Sequence, residues 1–478
     1  MTDTTDNFTK TKILATLGPA TSELSIIRQL IRNGIDGVRL NMSHSNHQFY
    51  EKLLNTIHTA CTEENTPLSI LADLQGPKIR IGDLEEPEIE IKDGRTIEIT
   101  TEDIIGNEKI ISASYKSLVD DAAIGDEILI NDGLIRLIIT DKKEHSVVCL
   151  IQSGGILSPR KGMNLPGMKL STPSITEKDF ADLKFLIKHR VDFIALSFVR
   201  SPKDIILLKS WLREKGKEIP VIAKIEKKEA IENLDEILKI SDGIMIARGD
   251  LGVEFPPQEV PVLQKNIITK CNEIGKLVIT ATQMLESMIN SPIPTRAEAS
   301  DIANAVWDGT DVVMLSGETS IGKYPLRTVS LMNDIVIKAE SITQHRQNVV
   351  FAIPENYEEN LFDSVGRAIS DISKQINADA IVVLTNKGRT AVNIAKFRPA
   401  CKIIAISNSF ETMNKLCLRW GVTSLFSEQI DKEYTLVDNS KKLIVDSGLV
   451  KKGDMVVFTA GAPYKEKSRF NWFRFEAI

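Results

Sequence analysis

Eightfold alternation constrains this 478-residue chain more than any other feature. Short apolar runs recur at 11–17 (TKILATL), 36–42 (DGVRLNM), 68–73 (LSILAD), 192–198 (DFIALSF), 220–225 (PVIAKI), 242–248 (DGIMIAR), 277–282 (LVITAT) and 311–316 (DVVMLS). Segments of helical periodicity lie between them, such as SELSIIRQLIRNG and TEKDFADLKFLIKHR. Gly34, Gly275 and Gly309 stand where helices should stop. Strands this apolar must be covered on both faces, as in parallel α/β sheets. Eight strand–helix units predict an α/β fold built on a closed (β/α)8 TIM barrel. An open doubly wound sheet is the alternative, and eight units strain it.

Two departures from the alternation divide the chain further. After the third strand, residues 82–170 (IEIKDGRTIEITT, DEILINDGLIRLIIT, HSVVCLIQSGG) alternate with period two around Asp-Gly and Gly-Gly turns, an all-β pattern. A segment this long is no plain loop. It predicts an inserted β-barrel domain on the active-site face of the barrel, placed to act as a lid. Near Ala352-Ile353-Pro354-Glu355 a second α/β series begins, with strands at 380–385, 402–407, 421–426 and 454–459. The expected division is a disordered tail at 1–9, a catalytic barrel at 10–81 and 171–350, the lid at 82–170, and a C-terminal α/β domain at 351–478. Length alone points to about three domains.

Composition excludes several classes. A net charge of −6 argues against a general nucleic-acid binder. No apolar run reaches the ~18 residues of a membrane span. The polar start MTDTTDNFTK lacks a signal-peptide core. The five cysteines, Cys61, Cys149, Cys271, Cys401 and Cys417, contain no C-x-x-C pair, as expected of reduced thiols in a cytoplasmic protein.

Polar residues gather at the C-terminal strand ends, where barrel enzymes place catalysis. Lys224 and Glu226 stand two apart on the fifth strand and therefore share a face. The sixth strand ends Arg248-Gly249-Asp250. One cation and two carboxylates at the ends of buried strands are costly unless they bind something. Hard oxygen donors at a barrel mouth suit Mg²⁺ or Mn²⁺, completed by water and substrate oxygens; a buried salt-bridge network is the alternative. Arg39, Asn41 and Ser43 share a face if the second strand persists through them, and Asp73, Leu74, Lys78 and Arg80 follow from the third. Two arginines converging on one mouth point to phosphate or carboxylate. Thr282 and Ser316 end strands seven and eight, where hydroxyls also commonly cap helices. Residues 317–323 (GETSIGK) imitate a P-loop, but Tyr324 stands where Ser or Thr must meet Mg²⁺. In the C-terminal domain, Thr385-Asn386-Lys387-Gly388-Arg389-Thr390 joins a strand to a helix, with free N–H groups and two cations. It is a candidate phosphate site, or an ordinary turn with a capping threonine.

Read together, TKILATLGPAT, VRLNMSHS, LADLQGPKIR, KGMNLPG, VIAKIEKKEAI, IARGDLGVE, ATQMLESM, PTRAEASDIANAVWDG and MLSGETSIGKYP resemble pyruvate kinase, over almost the whole chain. The resemblance implies conversion of phosphoenolpyruvate and ADP to pyruvate and ATP, usually by a homotetramer. It implies that Lys224 stabilises the phosphoryl group in transit, and that Glu226 and Asp250 hold the divalent metal. Gly249 and Asp250 would receive substrate carboxylate or phosphate, and Arg39 the moving phosphoryl group. Asn41, His44, Arg80 and Lys161 would contact the nucleotide phosphates. Thr282 would contact substrate and order the water that protonates the enolate, with Ser316 a candidate in that relay. The turn at Thr385–Thr390 matches the position where the family binds activating sugar phosphates, with AMP a further candidate, although the ending SRFNWFRFEAI departs from the usual family close.

One departure bears on the chemistry. Many members bind K⁺ through residues matching Asn41, Ser43, Asp73 and the carbonyl of Leu74, and carry Thr-Lys-Gly-Pro-Glu after the aspartate. This chain has Leu74-Gln75-Gly76-Pro77-Lys78. The expectation is that the Lys78 ammonium replaces K⁺, which is then not required; the alternative is that Lys78 faces solvent and K⁺ still binds. Two competing functions remain in view: another phosphoenolpyruvate or pyruvate barrel, such as an aldolase, and a catalytically inactive relative.

Overall fold

The computed structural model describes residues 8–131, 133–342, 351–428, 436–461 and 470–478. Residues 1–7 of the expected tail, and Ser468 and Arg469 of the SRFNWFRFEAI ending, lie outside them. Eight parallel strands close into a barrel: β1 (Lys12–Leu17), β2 (Gly37–Asn41), β3 (Ser69–Asp73), β4 (Phe193–Leu196), β5 (Val221–Ile225), β6 (Gly243–Ala247), β7 (Leu277–Ala281) and β8 (Val312–Leu315). Each pairs with its neighbours in sequence, and β8 pairs back onto β1 through Lys12 and Val312.

The apolar continuity of the strands has a direct cause. Alternate residues enter two different cores. Leu14, Leu71, Ile222, Met245, Ile279 and Met314 fill the barrel interior. Their strand neighbours, such as Ile13, Ala223, Ile244 and Val278, pack outward under the helices. Both faces are buried along most of each strand, so the runs are largely apolar, with polar side chains concentrated toward the strand ends. The strands run slightly shorter than the apolar runs. β2 stops at Asn41, so Ser43 does not continue its face; instead the Ser43 N–H donates to Asn41 Oδ1 at 3.3 Å.

Between β3 and β4 the chain builds a separate core around Ile97, Ile99, Ile128, Leu137 and Val147. It comprises a six-stranded sheet, a two-stranded ribbon and one short helix, Leu118–Asp121. Residues 80–81 bridge the two sheet edges, Arg80 to Gly162 and Ile81 to Ala113.

The C-terminal domain is a five-stranded sheet. Four parallel strands lie at Ala380–Leu384, Lys402–Ser407, Val422–Phe426 and Met455–Gly461, and a fifth, Phe470–Ala477, runs antiparallel to the last. That fifth strand was not expected, although Phe473-Arg474-Phe475-Glu476 alternates aromatic with polar side chains. The domain docks on the strand-N-terminal end of the barrel. There Leu418 joins the barrel-interior core and Arg398 pairs with Asp311 at 2.7 Å. The opposite end is the mouth.

Candidate active site

β5 delivers Lys224 to the mouth, where its Nζ meets Glu226 Oε1 at 2.8 Å, Asp73 Oδ1 at 3.3 Å and Ser197 Oγ at 2.7 Å. Asp73, at the end of β3, also receives Arg39 of β2 through Nε at 2.8 Å and Nη2 at 2.7 Å. Arg39 Nη1 reaches Thr16 Oγ1 at 3.1 Å. Five consecutive strands thus contribute to one cluster: Thr16 from β1, Arg39 from β2, Asp73 from β3, Ser197 just past β4 and Lys224 from β5. Asp73 and Glu226 are each 1% exposed and Arg39 8%, so these interactions act with little solvent screening.

The electrostatics follow from that burial. Burial opposes the Lys224 charge, but Asp73 and Glu226 together outweigh it, so its pKa is raised and the ammonium is fixed. Burial likewise opposes the Asp73 charge, yet Lys224 and Arg39 hold its pKa below the ordinary carboxylate value. The second Glu226 oxygen accepts the Phe198 N–H at 2.8 Å. Phe198 sits at φ 55°, a region a bulky residue rarely enters.

Asp250 lies in the first turn of the short helix Arg248–Glu254 and adds to the negative potential at Lys224. The Gly249 N–H donates to Thr282 Oγ1 at 2.8 Å, and that hydroxyl donates to Ala281 O at 2.6 Å. Thr282 and Gln283 have φ of 67° and 56°, strain of a kind that clusters at functional sites. Arg248 braces the turn through Thr282 O at 2.7 Å and Asp301 at 2.6 Å. Ser316 precedes the single turn Gly317–Ser320, and its N–H donates to buried Glu318 at 2.7 Å.

A second basic group stands at the lid side of the mouth. Partial burial, then Lys78, Arg39 and Arg80 in turn, lower the His44 pKa, which brings these four side chains into one field. Arg80 Nη1 donates to Arg160 O at 2.9 Å, and the Ile81 N–H donates to Lys161 O at 3.0 Å, so the segment carrying Lys161 borders the same opening. Lys78 is exposed, with Cε near Gly162. Of the expected K⁺ ligands, Leu74 O accepts from Ser197 at 2.7 Å, while Asp73 is engaged by Arg39 and Lys224.

The salt-bridge alternative for these residues is realised: Lys224, Asp73 and Glu226 form a buried network, and it stands at the barrel mouth. Sequence reasoning missed Ser197 and the Phe198 N–H. The polar Ser197 closing an otherwise apolar DFIALSF run was the available signal. In the C-terminal turn, Thr385 Oγ1 accepts the Gly388 N–H at 3.0 Å, so the threonine does cap the turn, and Gly388 holds φ 76° at the start of helix Arg389–Lys396. Lys387 and Arg389 remain exposed beside it.

Among the described residues no three His, Cys, Asp or Glu side chains cluster as a metal cage. Glu226 and Asp250 alone fit Mg²⁺, which characteristically takes one or two carboxylates and fills its octahedron with water and substrate oxygens. No helix among the described residues is long and apolar enough to cross a membrane.

Comparison with known proteins agrees with this architecture. Residues 8–329 match the model of the pyruvate kinase barrel domain, and 363–474 that of the pyruvate kinase alpha/beta domain. Pyruvate kinase of Geobacillus stearothermophilus is 41% identical over 472 residues, covering 98% of this chain and 80% of that protein. The Staphylococcus aureus MRSA252 enzyme is 41% identical over 473 residues, with the same coverage. A crystal structure of a pyruvate kinase from Cryptosporidium parvum superposes with a TM-score of 0.91 at 36% identity, covering 98% of this chain and 96% of that one. The chain belongs to the pyruvate kinase family, phosphotransferases that generally use Mg²⁺ and carry the phosphoryl group of phosphoenolpyruvate to ADP.

Proposed function

We propose that the Lys224 cluster is the phosphoryl-transfer centre of this enzyme. The observation that carries the reading is a buried ammonium held between Asp73 and Glu226 at the strand-C-terminal mouth. Phosphoryl transfer spreads negative charge over peripheral oxygens, and a fixed ammonium opposes that charge without reorganising. Arg39, oriented by Asp73 and Thr16, takes the moving phosphoryl group beside it. Glu226 and Asp250 hold Mg²⁺ or Mn²⁺, which when bound supplies positive charge to substrate oxygens. The Gly249 and Asp250 backbone receives the substrate carboxylate. Thr282 orients the substrate and the water that protonates the enolate, with Ser316 in the relay. Asn41, His44, Arg80 and Lys161 receive the phosphates of ADP or ATP, a role supported by the shared field at His44.

The same reading assigns Lys78 the charge that relatives take from K⁺, so the enzyme turns over without it; should K⁺ bind, Asn41, Ser43, Asp73 and Leu74 O are its ligands. It keeps the domain limits expected from the sequence. It also makes the protein a cytoplasmic homotetramer whose sugar-phosphate or AMP activator meets the turn from Thr385 through Asn386, Lys387, Gly388 and Arg389 to Thr390. A coupled assay for pyruvate from phosphoenolpyruvate and ADP, run with Mg²⁺ in the presence and absence of K⁺, tests the centre and the Lys78 assignment together. Absence of pyruvate under every condition would overturn the first, and strict K⁺ dependence the second.

A further inference from the structure

Beside the Lys224 cluster lies a second buried ion pair, which the catalytic roles leave unused. Lys227 follows Glu226 directly and is 8% exposed. Its ammonium pairs with Glu254 Oε1. Glu254 closes the short helix Arg248–Glu254, and its side chain is 2% exposed. The pair therefore ties the segment after β5 to the helix after β6. Those two segments carry Glu226 and Asp250.

The spacing is close at both ends. Lys227 stands one residue from Glu226. Glu254 stands four from Asp250, one helical turn on along the same face. A shift of either partner moves the backbone beneath a carboxylate. Lys227 Nζ also lies 6.0 Å from the centroid of the Phe198 ring, within cation–π reach. Phe198, held at φ 55°, donates its N–H to Glu226 at 2.8 Å. Lys227 thus bears on Glu226 by two routes, along the chain and through Phe198.

A second observation is independent of the pair. Glu254 Oε2 is buried and, among the described residues, has no hydrogen-bond partner. A buried acceptor left bare is costly and calls for a donor. Burial raises the Glu254 pKa, and Lys227 and then the Gly167 N–H oppose the rise, which places Gly167 beside this carboxylate. Gly167 is exposed and holds φ 71° in the segment that leads from the inserted β domain back to the barrel. A Cβ built on it would meet nothing within 4 Å, so the turn has room to shift.

We propose that Glu254 is a positioning residue with two contacts: Lys227 holds it so as to set the separation of Glu226 and Asp250, and its free oxygen takes the Gly167 N–H when the inserted domain moves over the mouth. The inference rests on the reading of Glu226 and Asp250 as metal ligands. Neither Lys227 nor Glu254 touches the metal or the substrate. Because both contacts meet on one carboxylate, the position of the inserted domain and the affinity for metal are coupled, and the coupling is reciprocal.

The test is Mn²⁺ binding to the full chain, read without substrate from the electron paramagnetic resonance of the free ion. Glu254→Gln and Lys227→Met should each weaken binding at least about tenfold, the lower bound for disturbing a group that orients a metal ligand. Lys227→Arg, which can still pair, should bind as the wild type does. Should Lys227→Met fail to fold, Lys227→Met/Glu254→Leu removes both charges together, a change that buried pairs often tolerate, and should show the same loss. Hydrogen exchange of residues 163–170 reads the second contact. Mn²⁺ should slow it in the wild type and leave it unchanged in the double variant. Wild-type Mn²⁺ affinity in the folded double variant, or exchange that Mn²⁺ slows equally in both proteins, would overturn the inference. Wild-type affinity in Glu226→Gln would overturn the metal reading itself, and the inference with it.

Discussion

Lys224 Nζ lies 2.8 Å from Glu226 Oε1, two residues on and just past the end of β5, and the glutamate is 1% exposed. The extended chain leaving β5 carries the glutamate back onto the face of Lys224, and the closure of the barrel adds Asp73 from β3. Removing the ammonium therefore has two separable consequences. In Lys224→Met, turnover should fall by roughly 10²–10³-fold or more, the range for loss of one preorganised transition-state donor, with a much smaller change in KM. Stability should fall by about 3 kcal/mol, the low end for breaking a buried pair, because Asp73 keeps Arg39 and Glu226 keeps the Phe198 N–H. Steady-state kinetics and urea unfolding measure the two effects. Turnover at the wild-type level in a folded variant would remove Lys224 from the chemistry.

The metal assignment makes a different demand. Glu226→Gln keeps size and hydrogen-bonding capacity but lowers the charge. If Glu226 is a ligand, the Mg²⁺ concentration for half-maximal rate should rise by at least about tenfold, the lower bound for disturbing a metal's immediate surroundings. Titrating Mg²⁺ against initial rate checks this, and an unchanged half-saturation would restrict Glu226 to holding Lys224.

Much of the site was legible because its chemistry is local in sequence. Lys224 and Glu226 declare a shared face, and Arg248-Gly249-Asp250 marks a strand end. The roles of Asp73 and Ser197 were not legible in this way. Asp73 reads as a strand-end carboxylate with several uses, and only barrel closure brings it to both Arg39 and Lys224. The pairing of Lys227 with Glu254 was invisible for the same reason. The two residues belong to different segments, which meet only when β5 and β6 stand side by side. Apolar periodicity revealed the barrel strands because two cores constrain each of them, whereas the strand Phe470–Ala477 lies at a sheet edge with Phe473 and Phe475 exposed, and its pattern reads as an ending rather than an element.

Lys78 should make K⁺ dispensable. Replacing K⁺ by tetramethylammonium at constant ionic strength should leave the wild-type rate unchanged. Lys78→Glu restores the glutamate carried by K⁺-using relatives and reverses the local charge. Its rate without K⁺ should drop at least about tenfold, 1.4 kcal/mol of barrier, and should recover on adding K⁺. A wild-type enzyme silent without K⁺, or a variant indifferent to K⁺, counts against the substitution of one charge for the other.

His44 should report nucleotide binding through its proton. In the free enzyme partial burial, Lys78, Arg39 and Arg80 hold its pKa below the ordinary value of 6.5. The folded state thus binds fewer protons here than the unfolded chain, and any stability from the neutral ring is present above 6.5 and declines as pH falls below it. A phosphate placed among these cations reverses their effect and favours the imidazolium. Binding of ADP should therefore raise the His44 midpoint and take up protons, so ADP affinity should strengthen as pH falls through the range between the free and bound values. The shift can be followed by NMR titration of the His44 ring, with His44→Gln identifying the resonance. A midpoint that ADP leaves in place would move His44 away from the nucleotide phosphates.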